Sequence, residues 1–175
     1  RARGDGSRVM RRGLLTMLLL AGCAVAAQEL QYSSDATEAC VAKAVTPEGK
    51  RGCLGLSAQQ CMGASFDGST TIGMMGCLDG ERDYWDRRLN AAYKALRAKA
   101  QASDAEMDEL GASAPRTAPA LKQMQRAWIA YRDTTCDFER SQWGGGTGGG
   151  PAVLSCLMRL TAEQALYLET AWIGE

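Results

Sequence analysis

Met74–Leu96 reads MMGCLDGERDYWDRRLNAAYKAL. Its apolar positions Met74, Leu78, Trp85, Leu89, Ala92, Tyr93 and Leu96 recur at helical spacing and line one face of an α-helix. Gly73, Gly76 and Gly80 each cost a helix about 1 kcal/mol relative to Ala, so the stretch before Glu81 is expected to fray or bend. Downstream, Leu121, Met124, Trp128, Tyr131 and Thr135 form a second stripe, ending near Gln142, and Leu154, Leu157, Thr161, Leu168 and Trp172 form a third. Between the first two stripes, Ser103 with Glu106 reads as a capping box, Gly111 as a stop, and Pro115 and Pro119 as breakers. Between the last two, the glycines of 144–150 exclude helix, and Pro151 sits where a first-turn proline is tolerated. No stretch reads convincingly as a strand. The expected fold class is all-α: a small disulfide-stapled domain of three major helices that bury one another, with a short Cys-rich helical segment before them.

That segment, residues 28–70, is assigned apart from the helical domain at 71–175. Asp35 with Glu38 can cap a short helix through Cys40, and Ser57 can start another toward Cys61. Upstream, Met10, Arg11, Arg12 and the apolar run Gly13–Leu20 read as a signal peptide within residues 1–27. Two exit signals overlap. Val25-Ala26-Ala27 suits an ordinary signal peptidase, whereas Leu20-Ala21-Gly22-Cys23 looks like a lipoprotein box whose Cys23 would carry lipid. Either route exports the chain, to the periplasm or to a lipid anchor in the envelope, and a lipid on Cys23 is the only membrane attachment expected.

The 175 residues carry 20 Lys+Arg and 20 Asp+Glu, a balance that argues against a strongly basic nucleic-acid binder. Without residues 1–27, which hold Arg1, Arg3, Arg8, Arg11, Arg12 and Asp5, 15 basic and 19 acidic side chains remain, a net charge of −4. The count of histidines is zero, which removes Ser-His-Asp and Cys-His nucleophile systems, His-containing zinc sites and a histidine pH switch together. The cysteines stand at 23, 40, 53, 61, 77, 136 and 156. Either export route disposes of Cys23, and the remaining even set argues for three disulfides among 15 connectivities. No CxxC spacing supports a thiolate metal site. Cys136 and Cys156 flank the Gly-rich loop and form the preferred pair; Cys40 with Cys53 and Cys61 with Cys77 complete the set most simply.

On a helical wheel, Glu81 and Asp86 sit on opposite boundaries of the first apolar face, and Arg132 on a boundary of the second. One of the two carboxylates is therefore expected to pair with Arg132 between helices, since half-buried charges need partners. Trp85, Trp128, Tyr93 and Tyr131 read as packing anchors. Asn90, Arg126 and Asp133 point outward and are candidates for contact with a partner. Asp137 and Glu139 extend that acidic surface, and Trp143, beside the Gly-rich loop, is the candidate exposed aromatic anchor.

Cys77-x3-Glu81-x4-Asp86-x2-Leu89-Asn90-x2-Tyr93-x2-Leu96, then Gln125-Arg126-Ala127-Trp128-x2-Tyr131-Arg132-Asp133-x2-Cys136, then a Gly-rich loop and Cys156, resembles the LprI-type lysozyme-inhibitor domain of exported bacterial proteins. Thr161 and Leu168 fit that family's last helix, with Gln164 where its pattern would carry Arg. The resemblance implies a non-enzymatic protein that binds and inhibits lysozyme-like muramidases, and the acidic balance suits partners that are basic. The alternative is an envelope binding or scaffold module with another protein partner. An enzyme is least supported: Glu81 and Asp86, five residues apart on one helix, diverge by about 140° and do not face one substrate. No cofactor is implied.

Overall fold

The computed structural model describes residues 30–171. The elements run α1 (Asp35–Lys43), α2 (Pro47–Arg51), α3 (Leu56–Gly63), a 3-10 turn (Asp67–Ser69), α4 (Thr71–Glu109), α5 (Thr117–Ser141) and α6 (Gly149–Thr170). Among the described residues there is no strand, so the all-α expectation holds. The signal-peptide reading, Cys23 and Trp172 lie outside the described residues. No described helix is long and apolar enough to cross a membrane.

α4, at 39 residues, is the spine, about 58 Å long at the usual helical rise. α6 packs against both α4 and α5 and buries most of its circumference, including Met158, Leu160, Ala162, Ala165 and Leu168. One core joins the short helices to the long ones: Val41 of α1 and Ala58 of α3 belong with Leu78, Trp85 and Leu89 of α4 and with Met158 and Ala165 of α6. Three disulfides link sequence neighbours, Cys40 to Cys53, Cys61 to Cys77 and Cys136 to Cys156, with Cα–Cα separations of 5.6, 5.7 and 5.4 Å.

The expected fraying before Glu81 does not occur, because each glycine stands where another part of the chain presses on α4. A Cβ on Gly73 would lie 1.8 Å from the Asp67 carbonyl oxygen, one on Gly76 2.7 Å from Leu30, and one on Gly80 2.6 Å from the Tyr32 ring. The absent side chains admit the 3-10 turn and the segment at residues 30–33, and that packing offsets the propensity cost. Close approach also corrects the Gly-rich loop. Gly149 and Gly150 form the first turn of α6, where a Cβ on Gly150 would meet the Met75 sulfur at 2.7 Å.

Glu81 is fully buried and is an acceptor in every contact it makes. Its Oε1 receives the Gly55 N–H at 2.8 Å, the Thr37 hydroxyl at 2.8 Å and the Trp85 indole N–H at 3.2 Å; its Oε2 receives the Ala58 N–H at 2.7 Å. Gly55 is the N-cap of α3, left-handed at φ +84°, and has no side chain to cap with. The first turn of a helix presents N–H groups without intrahelical acceptors, and here a carboxylate from α4 supplies one. Thr37 Oγ1 accepts the Ser57 N–H at 3.0 Å and Ser57 Oγ accepts the Thr37 N–H at 2.9 Å, tying α1 into the same cap.

A second carboxylate of α4 caps α5. The Ser103–Glu106 pair starts no helix, because α4 continues through it to Glu109 and the chain turns at Gly111, φ +64°. Asp104 between them accepts the N–H groups of Thr117 at 2.7 Å and Ala118 at 2.9 Å. Those bonds, that to Ala118 first, hold its carboxyl below the usual carboxylate range. Arg116, at the α5 N-cap position, makes no side-chain cap bond. Pro119, expected as a breaker, lies in the first turn, where a missing N–H breaks no intrahelical bond.

Two outcomes follow. Glu81→Gln points an NH2 group at N–H donors and should remove about 3 kcal/mol of stability in urea titration; an unchanged midpoint would contradict the cap. For Asp104 the folded carboxyl titrates lower than the unfolded one, so its contribution is present above the unfolded value and disappears as pH falls through the folded one. The difference in Tm between the wild type and Asp104→Asn should therefore be full at neutral pH and close on acidification below about pH 4; a gap that persists in acid would contradict the assignment.

Candidate partner-binding cleft

A polar cleft of about 300 Å³ opens between α4 and α5, with α6 beneath it. α4 contributes Arg82, Asp83 and Asp86, α5 contributes Arg132 and Asp133, and Leu157 and Thr161 come from α6. Arg82 bridges Asp79 and Asp83 on its own helix, both at 2.9 Å. Across the cleft, Arg132 donates to Asp133 from Nε at 2.9 Å and a terminal nitrogen at 2.8 Å, while its guanidinium lies 5.0 Å from the Trp128 ring centroid. Asp86 accepts the Asn90 amide at 2.8 Å. No basic side chain among the described residues forms an ion pair with Asp86.

The residues proposed for partner contact are spread along the surface. Asp133 lies at the cleft, Asn90 one turn beyond Asp86, and Arg126 is exposed on α5. Trp143, 54% exposed just past the end of α5, covers Gly148, where a Cβ would sit 2.2 Å from its ring. Glu139, read above as outward acidic surface, instead receives Arg159 of α6 at 2.9 Å.

Residues 61–168 match the family model described as lysozyme inhibitor LprI. The chain belongs to this family. The matched span contains all of α4 and α5 and nearly all of α6, and with them all seven residues of the cleft. An uncharacterised 17.7 kDa protein in the puhA 5′ region of Rhodobacter capsulatus is 30% identical over 162 residues, 92% of this chain and 97% of that protein. An uncharacterised protein of Rhizobium meliloti (strain 1021) is 34% identical over 93 residues, 53% of this chain and 67% of its own length. No solved structure gives a significant match. Lysozyme-inhibitor families act by binding rather than catalysis, and three disulfides in such a family mark an extracytoplasmic protein.

Within this LprI fold, the expected bridge from Arg132 to Glu81 or Asp86 is absent and has to be corrected. Glu81 faces the cap of α3, which a wheel of the three long helices leaves out, and Arg132 satisfies itself on its own helix with Trp128 and Asp133. The bridge from α4 to α6 is Arg88 with Glu169, a two-pronged contact whose second bond is 2.9 Å. Arg88 also donates to the Tyr84 hydroxyl at 3.1 Å and lies over Trp85; its hydrogen bond to Glu169 raises its already high pKa. Its place one turn beyond Trp85 was the available signal. Gln164, standing where the family pattern would carry Arg, donates instead to Gln125 Oε1 at 2.9 Å, a neutral bond in a buried setting. Tyr131, expected in the core, is 59% exposed because the line that meets α6 runs through Leu121, Gln125, Trp128, Arg132 and Cys136.

Arg88→Ala should thus cost about 2 kcal/mol by removing a half-buried bidentate bridge between helices, and Arg132→Ala less than about 1 kcal/mol. Chemical denaturation of both variants checks the order; a larger loss at Arg132 would restore it as the structural bridge.

Proposed function

We propose that this protein is an exported inhibitor of lysozyme-like muramidases, acting by binding through the α4–α5 face and the neighbouring end of α5. The observation that carries this reading is the family match, whose span takes in the whole cleft. The charge supports it: residues 28–175 hold 19 acidic against 15 basic side chains, and a mildly acidic protein gains association rate toward a basic enzyme. Asn90, Arg126, Asp133 and Trp143 remain the proposed contacts, with Asp133 steering and Trp143 anchoring. Export through the signal peptide, with or without lipid on Cys23, would place the protein where lysozyme meets the envelope.

The test is inhibition of cell-wall lysis by a basic lysozyme with the purified oxidised protein, alongside surface plasmon resonance at two salt concentrations. Inhibition should weaken as salt rises. Asp133→Lys should slow association more than it speeds dissociation, and Trp143→Ala should do the reverse, because an aromatic anchor acts at short range through buried area. Absence of binding at low salt would overturn the reading for that enzyme.

A further inference from the structure

We propose that the α4–α5 cleft is a receptor for one arginine side chain of a basic protein partner, with Asp86 and Thr161 as its recognition residues. The identity of that partner rests on the muramidase reading above; the chemistry of the cleft does not.

The first observation is an imbalance of charge. Asp79, Asp83, Asp86 and Asp133 stand at or beside the cleft against Arg82 and Arg132. Both arginines already have carboxylate partners on their own helices, and Asp86 has only the neutral Asn90 amide. The cleft therefore favours a cation and offers it an acceptor that no described cation occupies.

The second observation is independent of charge. Two buried side-chain oxygens among the described residues have no hydrogen-bond partner, Tyr32 Oη and Thr161 Oγ1, and Thr161 lines this cleft while being 1% exposed. A helical threonine ordinarily closes its hydroxyl on the preceding turn, as Thr134 does on the Ala130 carbonyl at 2.7 Å and Thr170 on that of Leu166 at 3.0 Å. Thr161 does not. A buried hydroxyl without a partner is costly to the free protein, and a donor entering the cleft would relieve that cost.

Acceptors on a wall and beside the floor suit a guanidinium better than an ammonium, because its planar fork directs several N–H groups at once. Leu157 supplies an apolar surface for the stem of the side chain. A volume of about 300 Å³ accommodates one such side chain rather than a folded segment.

The experiment titrates the oxidised protein with N-acetyl-arginine methylamide and with its neutral isostere N-acetyl-citrulline methylamide, followed by amide chemical shifts. The arginine compound should shift Asp86, Leu157 and Thr161, and the citrulline compound should not. Asp86→Asn should weaken binding about fivefold, the scale of one partly exposed charge-assisted contact. Thr161→Val should weaken it about threefold while raising the Tm of the free protein, a direction opposite to that of a residue with a structural hydrogen bond. Equal binding of the two compounds, or an Asp86→Asn variant that binds as the wild type does, would overturn the proposal. A wild type that binds the arginine compound but no lysozyme would overturn the muramidase reading and leave the arginine receptor standing. A lysozyme complex indifferent to Asp86→Asn would do the opposite.

Discussion

A carboxylate taken fully out of water has to be given hydrogen-bond donors, and the way Glu81 obtains them organises the rest of the molecule. Two of its donors are backbone N–H groups at the start of α3, one is the hydroxyl of Thr37 in α1, and one is the indole of Trp85 on its own helix. Removing water strengthens each of these contacts and makes each one harder to lose. The cap holds α3 against α4 at a fixed height, and the Cys61–Cys77 disulfide, one turn from Glu81, ties the same two helices. With α3 seated, the glycine positions of α4 meet the 3-10 turn and the segment at residues 30–33, and Trp85 fills the centre of the core.

The same device recurs at the other end of α4, where Asp104 accepts the first N–H groups of α5. Neither α3 nor α5 has a capping side chain of its own, and both take a carboxylate from the long helix between them. A helix start without an acceptor is poorly defined, so α4 sets where its neighbours begin. The arrangement fixes which residues of α4 and α5 face each other over α6, and the cleft between them results from that register. Its ion pairs are local to each helix, so among the described residues no salt bridge joins α4 to α5 across it.

Family membership and geometry bear on function at different levels. The LprI match says which family this chain belongs to, one described as lysozyme inhibitors, and disulfides, caps and the buried core tie its helices to one another. Rigidity serves a binder because side chains held in place before contact lose less freedom on association. The acidic side chains around the cleft act over longer distances, as a field that salt weakens.

Periodicity located the three long helices and glycine marked the Gly111 turn and the end of α5, because both are local properties of the chain, whereas the run of α4 through Ser103 and Glu106 to Glu109 was not legible there. Even cysteine count and short spacings made pairing between sequence neighbours the simplest solution, and the Trp-Tyr-Arg-Asp-Cys run carried the family. The partners of the polar residues were not legible in the same way. A wheel places Glu81 and Arg132 at the edge of an apolar face, but which element covers that edge depends on the packing of distant segments. Only the tertiary structure decided that Glu81 meets α3, that Arg88 meets Glu169, and that Arg132 stays on its own helix. The glycines of α4 show the same division, since their propensity cost is written in the sequence while the close contacts that justify them exist only in the folded chain.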